Sequence, residues 1–130
     1  MPLVDISFGD AIDRLSVLKV KLNNIKDSSK HAIVEVESNQ LENSLVEWAC
    51  ANNIDGSTFQ GLLNDLIEIN QLGWDQIEIV RSSMNLDNCD PTQLHVEHIK
   101  MIQINDRRIK AKNDADKIAR YHYHEIKSFL

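Results

Sequence analysis

The chain has 130 residues, 42% of them hydrophobic and 26% charged, with a formal net charge of −6 and only 4 Gly and 2 Pro. That length supports one domain with a single core, and the shortage of chain breakers favours long helices over a turn-rich sheet. Cys50 and Cys89 form neither a disulfide framework nor a metal-ligand spacing, so free thiols are expected. Met1-Pro2-Leu3-Val4-Asp5 has no basic start, and no apolar run nears the roughly 20 residues of a membrane span. A cytoplasmic protein with no membrane partner is expected.

The charge is unevenly placed. Residues 1–99 carry 6 basic and 16 acidic side chains, whereas residues 100–130 carry 8 basic and 4 acidic ones. A basic end segment either binds a polyanion or docks on an acidic body. Without interleaved aromatics or a nucleic-acid motif, docking is the better reading, and no nucleic-acid partner is expected.

The first helix starts at Ser7, a good N-cap, with Asp10 placed to return the bond. Phe8, Ala11 or Ile12, Leu15, Leu18, Leu22 and Ile25 then recur at helical spacing, flanked by Asp13, Arg14, Lys19 and Lys21. The helix should end near Lys26. A second helix is expected over residues 30–51, with Leu41, Leu45 and Trp48 inward and Glu35, Glu37, Glu42 and Glu47 in solvent. Asn52-Asn53-Ile54-Asp55-Gly56 is the clearest turn, after which Ser57 or Thr58 should cap the third helix.

In that third helix Asn70, Trp74, Ile77 and Arg81 follow at offsets of four, three and four, which puts them on one face, with Glu78 adjoining. An Asn and an Arg inside an apolar stripe need partners if buried. Gly73 beside Trp74 suggests a close helix approach or room for the indole. Residues 85–89 read as a loop, and Asp90-Pro91 opens the fourth helix. Its stripe starts apolar, at Leu94, Ile99 and Ile102, and becomes polar at Asn105, Arg108 and Lys112. His95 and His98 share a face without an evident third ligand, so neither a metal nor a cofactor is expected. A helix unbroken to the end would be unusually long; a break is expected between Asn113 and Tyr121, leaving residues 122–130 irregular or extended.

Four segments occur in an order that resembles a bacterial and phage family of small helical proteins, a domain of unknown function. They are the run from Ile6 to Lys21, the stretch from Asn70 to Arg81, Asn105-Asp106-Arg107-Arg108 with Lys112, and Glu125-Ile126-Lys127-Ser128-Phe129. The likeness covers nearly the whole chain but is sparse between Asp27 and Phe59. Asp10, Lys19, Asp116, Ile126 and Phe129 depart from the family's usual residues. It implies a small helical protein whose shared residues are mainly polar, and it supplies no reaction.

The expected fold is therefore all-α: one domain, an antiparallel bundle of about four helices with an irregular or extended C-terminal tail. Asp13, Arg14, Asn70, Glu78, Arg81, Asn105, Asp106, Arg108 and Lys112 are expected to converge between the first, third and fourth helices, with Trp74 as one wall. Such a cluster either satisfies itself or receives a small anionic ligand. The leading function is an interaction or assembly module, forming a homo-oligomer or binding a protein partner, with Val17, Val20, Ile69, Ile79 and Ile104 as spare apolar edge. The alternative is a Mg-dependent enzyme acting on a phosphorylated small molecule or nucleotide, with Asp13, Glu78 and Asp106 as its carboxylates.

Overall fold

The computed structural model describes residues 6–84 and 90–128, with side chains through Arg120. Four helices account for nearly all of it: α1 (Phe8–Asn24), α2 (Ser28–Ala51), α3 (Gly56–Met84) and α4 (Pro91–Ser128). The loop expected at residues 85–89 and the side chains of the end motif lie outside the described residues.

Local chemistry sets the boundaries. The Ser7 hydroxyl accepts from the Asp10 N–H at 3.0 Å, but the Asp10 carboxylate does not return the bond; it turns to Lys112 instead. Asp27 accepts from the N–H groups of Ser29 and Lys30, so α2 starts two residues earlier than its stripe suggests. Before α3, Asn53 takes a left-handed φ of 58°, which Asn tolerates better than most residues. Asp55, rather than Ser57 or Thr58, then caps α3: its carboxylate accepts from the Thr58 N–H and the Ser57 hydroxyl, each at 2.7 Å. Those bonds hold the Asp55 carboxyl below its ordinary range, the Thr58 N–H contributing most.

Side-chain pairings give the topology. Phe8 stacks on Trp48 and Lys19 reaches Glu42, so α2 runs antiparallel to α1. Phe8 also meets Phe59, and Asn24 bonds Gln71, so α3 runs parallel to α1. On α4, Asp116, Lys112 and Arg108 meet Gly9, Asp10 and Asp13 in turn, which makes it antiparallel. Helix α1 is the hub. It packs against the other three, while among the described residues α2 and α4 do not pack directly and face one another across a small cleft lined by Phe8, Trp48, Asn52, Asp116, Ala119 and Arg120. The core lies where one end of every helix meets, around Ile12, Leu15, Leu45, Phe59, Leu63 and Leu66.

Two expectations need correction. Trp48 is not a core residue: it is 41% exposed, with one face of the indole on Phe8. Nor does the fourth helix break before residue 121, since α4 is helical without interruption to Ser128. No Gly or Pro follows Pro91, and Ala111, Lys112, Ala115, Lys117, Ala119 and Arg120 are strong helix formers, so no local signal stops it.

Helix lengths divide the molecule. At about 1.5 Å per residue, α1 spans roughly 25 Å, whereas α3 and α4 span roughly 43 Å and 57 Å. Beyond Asn24, where α1 ends beside Gln71, α3 and α4 continue as an arm. Its buried residues are few: Gln76, Val80 and Glu97.

Candidate functional site

The polar residues of α1, α3 and α4 meet in a short ladder at the middle of α1. Asp13 faces inward from α1 because it lies one helical step from Ile12 and three before Ser16, both fully buried. Its side chain is only 7% exposed and receives a two-pronged guanidinium contact. Arg108 Nε donates to Oδ1 at 2.9 Å and a terminal nitrogen donates to Oδ2 at 2.6 Å. This bidentate form is the strong geometry for such a pair. The Asp13 hydrogen bonds raise the Arg108 pKa further above its already high value.

Asn70 on α3 completes the node. Its Nδ2 donates to Asp13 Oδ1 at 3.0 Å and to the Ser16 hydroxyl at 2.7 Å, and that hydroxyl donates to the Asp13 carbonyl. Each oxygen of the buried carboxylate therefore has a partner, as burial of a charge requires.

The ladder continues toward the start of α1, in steps of one turn along α4. Lys112 meets Asp10 at 2.8 Å, and this hydrogen bond, with the attraction of the charge, holds the Asp10 carboxyl below its ordinary value. One turn further, Asp116 accepts from the Gly9 N–H at 2.7 Å, placing a carboxylate at the positive end of α1. The helices are so close there that a Cβ on Gly9 would collide with the Lys112 carbonyl and come to 3.0 Å from the Asp116 carboxylate. Gly73, by contrast, has room for a methyl group, which would lie 3.7 Å from Ile104. The glycine that a close approach demands is Gly9.

Of the ten residues singled out from the sequence, Asp13, Asn70 and Arg108 form the node and Lys112 forms the next rung. Trp74 is half-buried, one turn past Asn70 on the arm. Asn105 is exposed but lines a cleft of about 130 Å³ beside the node, with Asn70, Gly73, Ile77, Met101 and Arg108. Arg14, Glu78, Arg81 and Asp106 are exposed and do not join the node. Asp13, Glu78 and Asp106 thus do not gather as a carboxylate set, and among the described residues no three His, Cys, Asp or Glu side chains are placed to hold a metal. His95 and His98 both lie on the surface.

Sequence reasoning missed Ser16, Asp116 and Gly9. For Asp116 the signal was the four-residue step of α4, in which 108, 112 and 116 meet 13, 10 and 9 on α1 in turn. It also missed a second buried polar contact, in the arm. Gln76 donates to the Glu97 carboxylate at 2.7 Å and to the Glu97 carbonyl at 2.9 Å, and Gln93 and Lys100 donate to the other carboxylate oxygen. The Gln76 hydrogen bond is the largest of the effects that lower the Glu97 pKa.

The basic segment is split by its helix. Arg108 and Lys112 turn toward α1, while Arg107 and Lys110 line an opposite groove that also holds Asp65, Glu68 and Asp114. No model of a protein family, no curated protein and no solved structure matches the chain.

Proposed function

We propose that the chain is a helical assembly module, locked on itself through the Asp13 node and offering its two-helix arm to another protein surface. The observation that carries this reading is the uncovered apolar seam of the arm. Ile77 and Met84 are 40% and 59% exposed on the continuation of the α3 face that α1 covers further down, and Ile102, 61% exposed, lies beside the corresponding track on α4. Exposed apolar side chains gathered on one face mark an interaction surface far more often than scattered single ones do.

The node supports the same division of labour. Arg108 has already given its fork to Asp13, so the cleft beside it has no uncompensated positive charge with which to hold an anion. A second reading, a small anionic ligand, draws on the remaining guanidinium N–H groups and Asn105 at that cleft. The shared polar segments of the family that the chain resembles, here in α1, α3 and α4, are met equally by a structural lock.

The molar mass in solution tests the leading reading. Light scattering across a range of concentrations should give a mass above the 14.9 kDa of one chain. A mass that stays at one chain throughout, together with a melting temperature raised by phosphate or a carboxylate panel, would favour the ligand instead.

A further inference from the structure

Along α3, the residues Asn70, Trp74, Ile77, Arg81 and Met84 follow the four-three alternation of a coiled-coil seam. Along α4, Leu94, His98, Met101, Asn105, Arg108 and Lys112 do the same. At Asn70, Arg108 and Lys112 these seams meet α1. Past Asn24 they continue without it, because the chain turns through residues 25–27 into α2. Two parallel tracks built to receive helix are therefore left open over the arm.

Resting on the assembly reading above, we propose that the occupant is the arm of a second copy of this chain, the two arms forming a four-helix bundle about a two-fold axis. Charge selects this partner. Glu78 and Arg81 lie three residues apart on the exposed side of α3, and among the described residues neither has an ion-pair partner. When α3 lies antiparallel to its own copy, with the axis passing between Ile79 and Val80, Glu78 of each chain faces Arg81 of the other. A two-fold interface must be self-complementary in this way. Ile77 and Met84 flank the paired charges, and Ile102, next to Met101 and 61% exposed, borders the adjoining track on α4.

The size is consistent with a reversible dimer. The arm face is about 20 Å long and about two helices wide, which would bury on the order of 1,200 Å² in total, the lower end for a specific complex. Dimerisation should accordingly depend on concentration.

Sedimentation velocity on the full chain is the test, with circular dichroism on each variant to verify folding. The expected results are a concentration-dependent dimer for the wild type, a monomer of unchanged helicity for Ile77→Glu/Ile102→Glu, and an unaffected dimer for Val36→Glu on α2. Glu78→Arg and Arg81→Glu should each weaken the dimer at least tenfold, and the double swap should restore it. A dimer that survives Ile77→Glu/Ile102→Glu, or a double swap no better than either single change, would overturn this interface while leaving the assembly reading intact. A wild type that stays monomeric would remove both.

Discussion

The lower and upper halves of the α3–α4 pair are the same two helices with the same seam periodicity, yet they solve different problems. In the lower half α1 lies across both seams, and the polar residues there become inward rungs: Asn70 and Arg108 on Asp13, Lys112 on Asp10. In the upper half no third helix arrives among the described residues, so Ile77, Met84 and Ile102 remain in contact with solvent, and of those residues Gln76, Val80 and Glu97 are the ones buried between the helices. The comparison teaches that periodicity reports which face of a helix is special. It says nothing of what covers that face.

Breaking the lower half should cost most. Asp13→Ala strands Arg108, Asn70 and Ser16 together; because Arg108 is 37% exposed and can rehydrate in part, the expected loss is about 3 kcal/mol, read by urea unfolding. Gly9→Ala forces a methyl group into the Lys112 carbonyl, and parting α1 from α4 there should cost about 2 kcal/mol, with the Asp13–Arg108 contact loosened as well.

In the upper half the sharper probe is acid. The Glu97 carboxyl titrates below its ordinary value, so its contribution to stability is present above that ordinary value of 4.5 and is lost as the pH falls through the lowered one. Hydrogen exchange at low pH should then show the amides of residues 74–84 and 92–104 losing protection before those of residues 8–24. Glu97→Gln should flatten that pH dependence within the arm.

The smallest effect concerns neither half. Ser38 is fully buried on α2, and its hydroxyl has no hydrogen-bond partner. Ser38→Ala should leave the melting temperature unchanged or raise it slightly, since it removes an unsatisfied group at little cost in volume.

Much of this plan can be read from residues alone. The caps at Ser7 and Asp90, the four stripes and the pairing of an early acid with a late Arg all follow from local chemistry and from polar interruptions of apolar periodicity. Arg108 was legible because a charge in a stripe needs a partner, whereas Asp13, read as flanking its stripe, entered through the resemblance carried by the run from Ile6 to Lys21. Glu78 and Arg81 stand just as near their stripe, but the helix that would enclose them ends too soon, and its length against its neighbours is a tertiary fact; Asp106 is exposed although Arg108, two residues on, reaches α1. Trp48 misleads for a related reason: α2 and α4 do not pack directly, so beyond Phe8 the indole faces a cleft lined by Asp116, Ala119 and Arg120 and stays 41% exposed. The unbroken α4 was hidden by an argument from typical length, although its residues contain nothing that would interrupt it.

The rungs join parts of the chain that are made far apart in time. Asp13 and Arg108 are 95 residues apart, and Gly9 and Asp116 are 107 apart. At about 5–20 residues per second, roughly 5–20 s of synthesis separates the two ends of each rung. Through that interval the Asp13 carboxylate has only water and, once α3 has been made, Asn70 for company. Of the four helices α1 is made before the other three yet needs all of them, so the native interior must wait for α4.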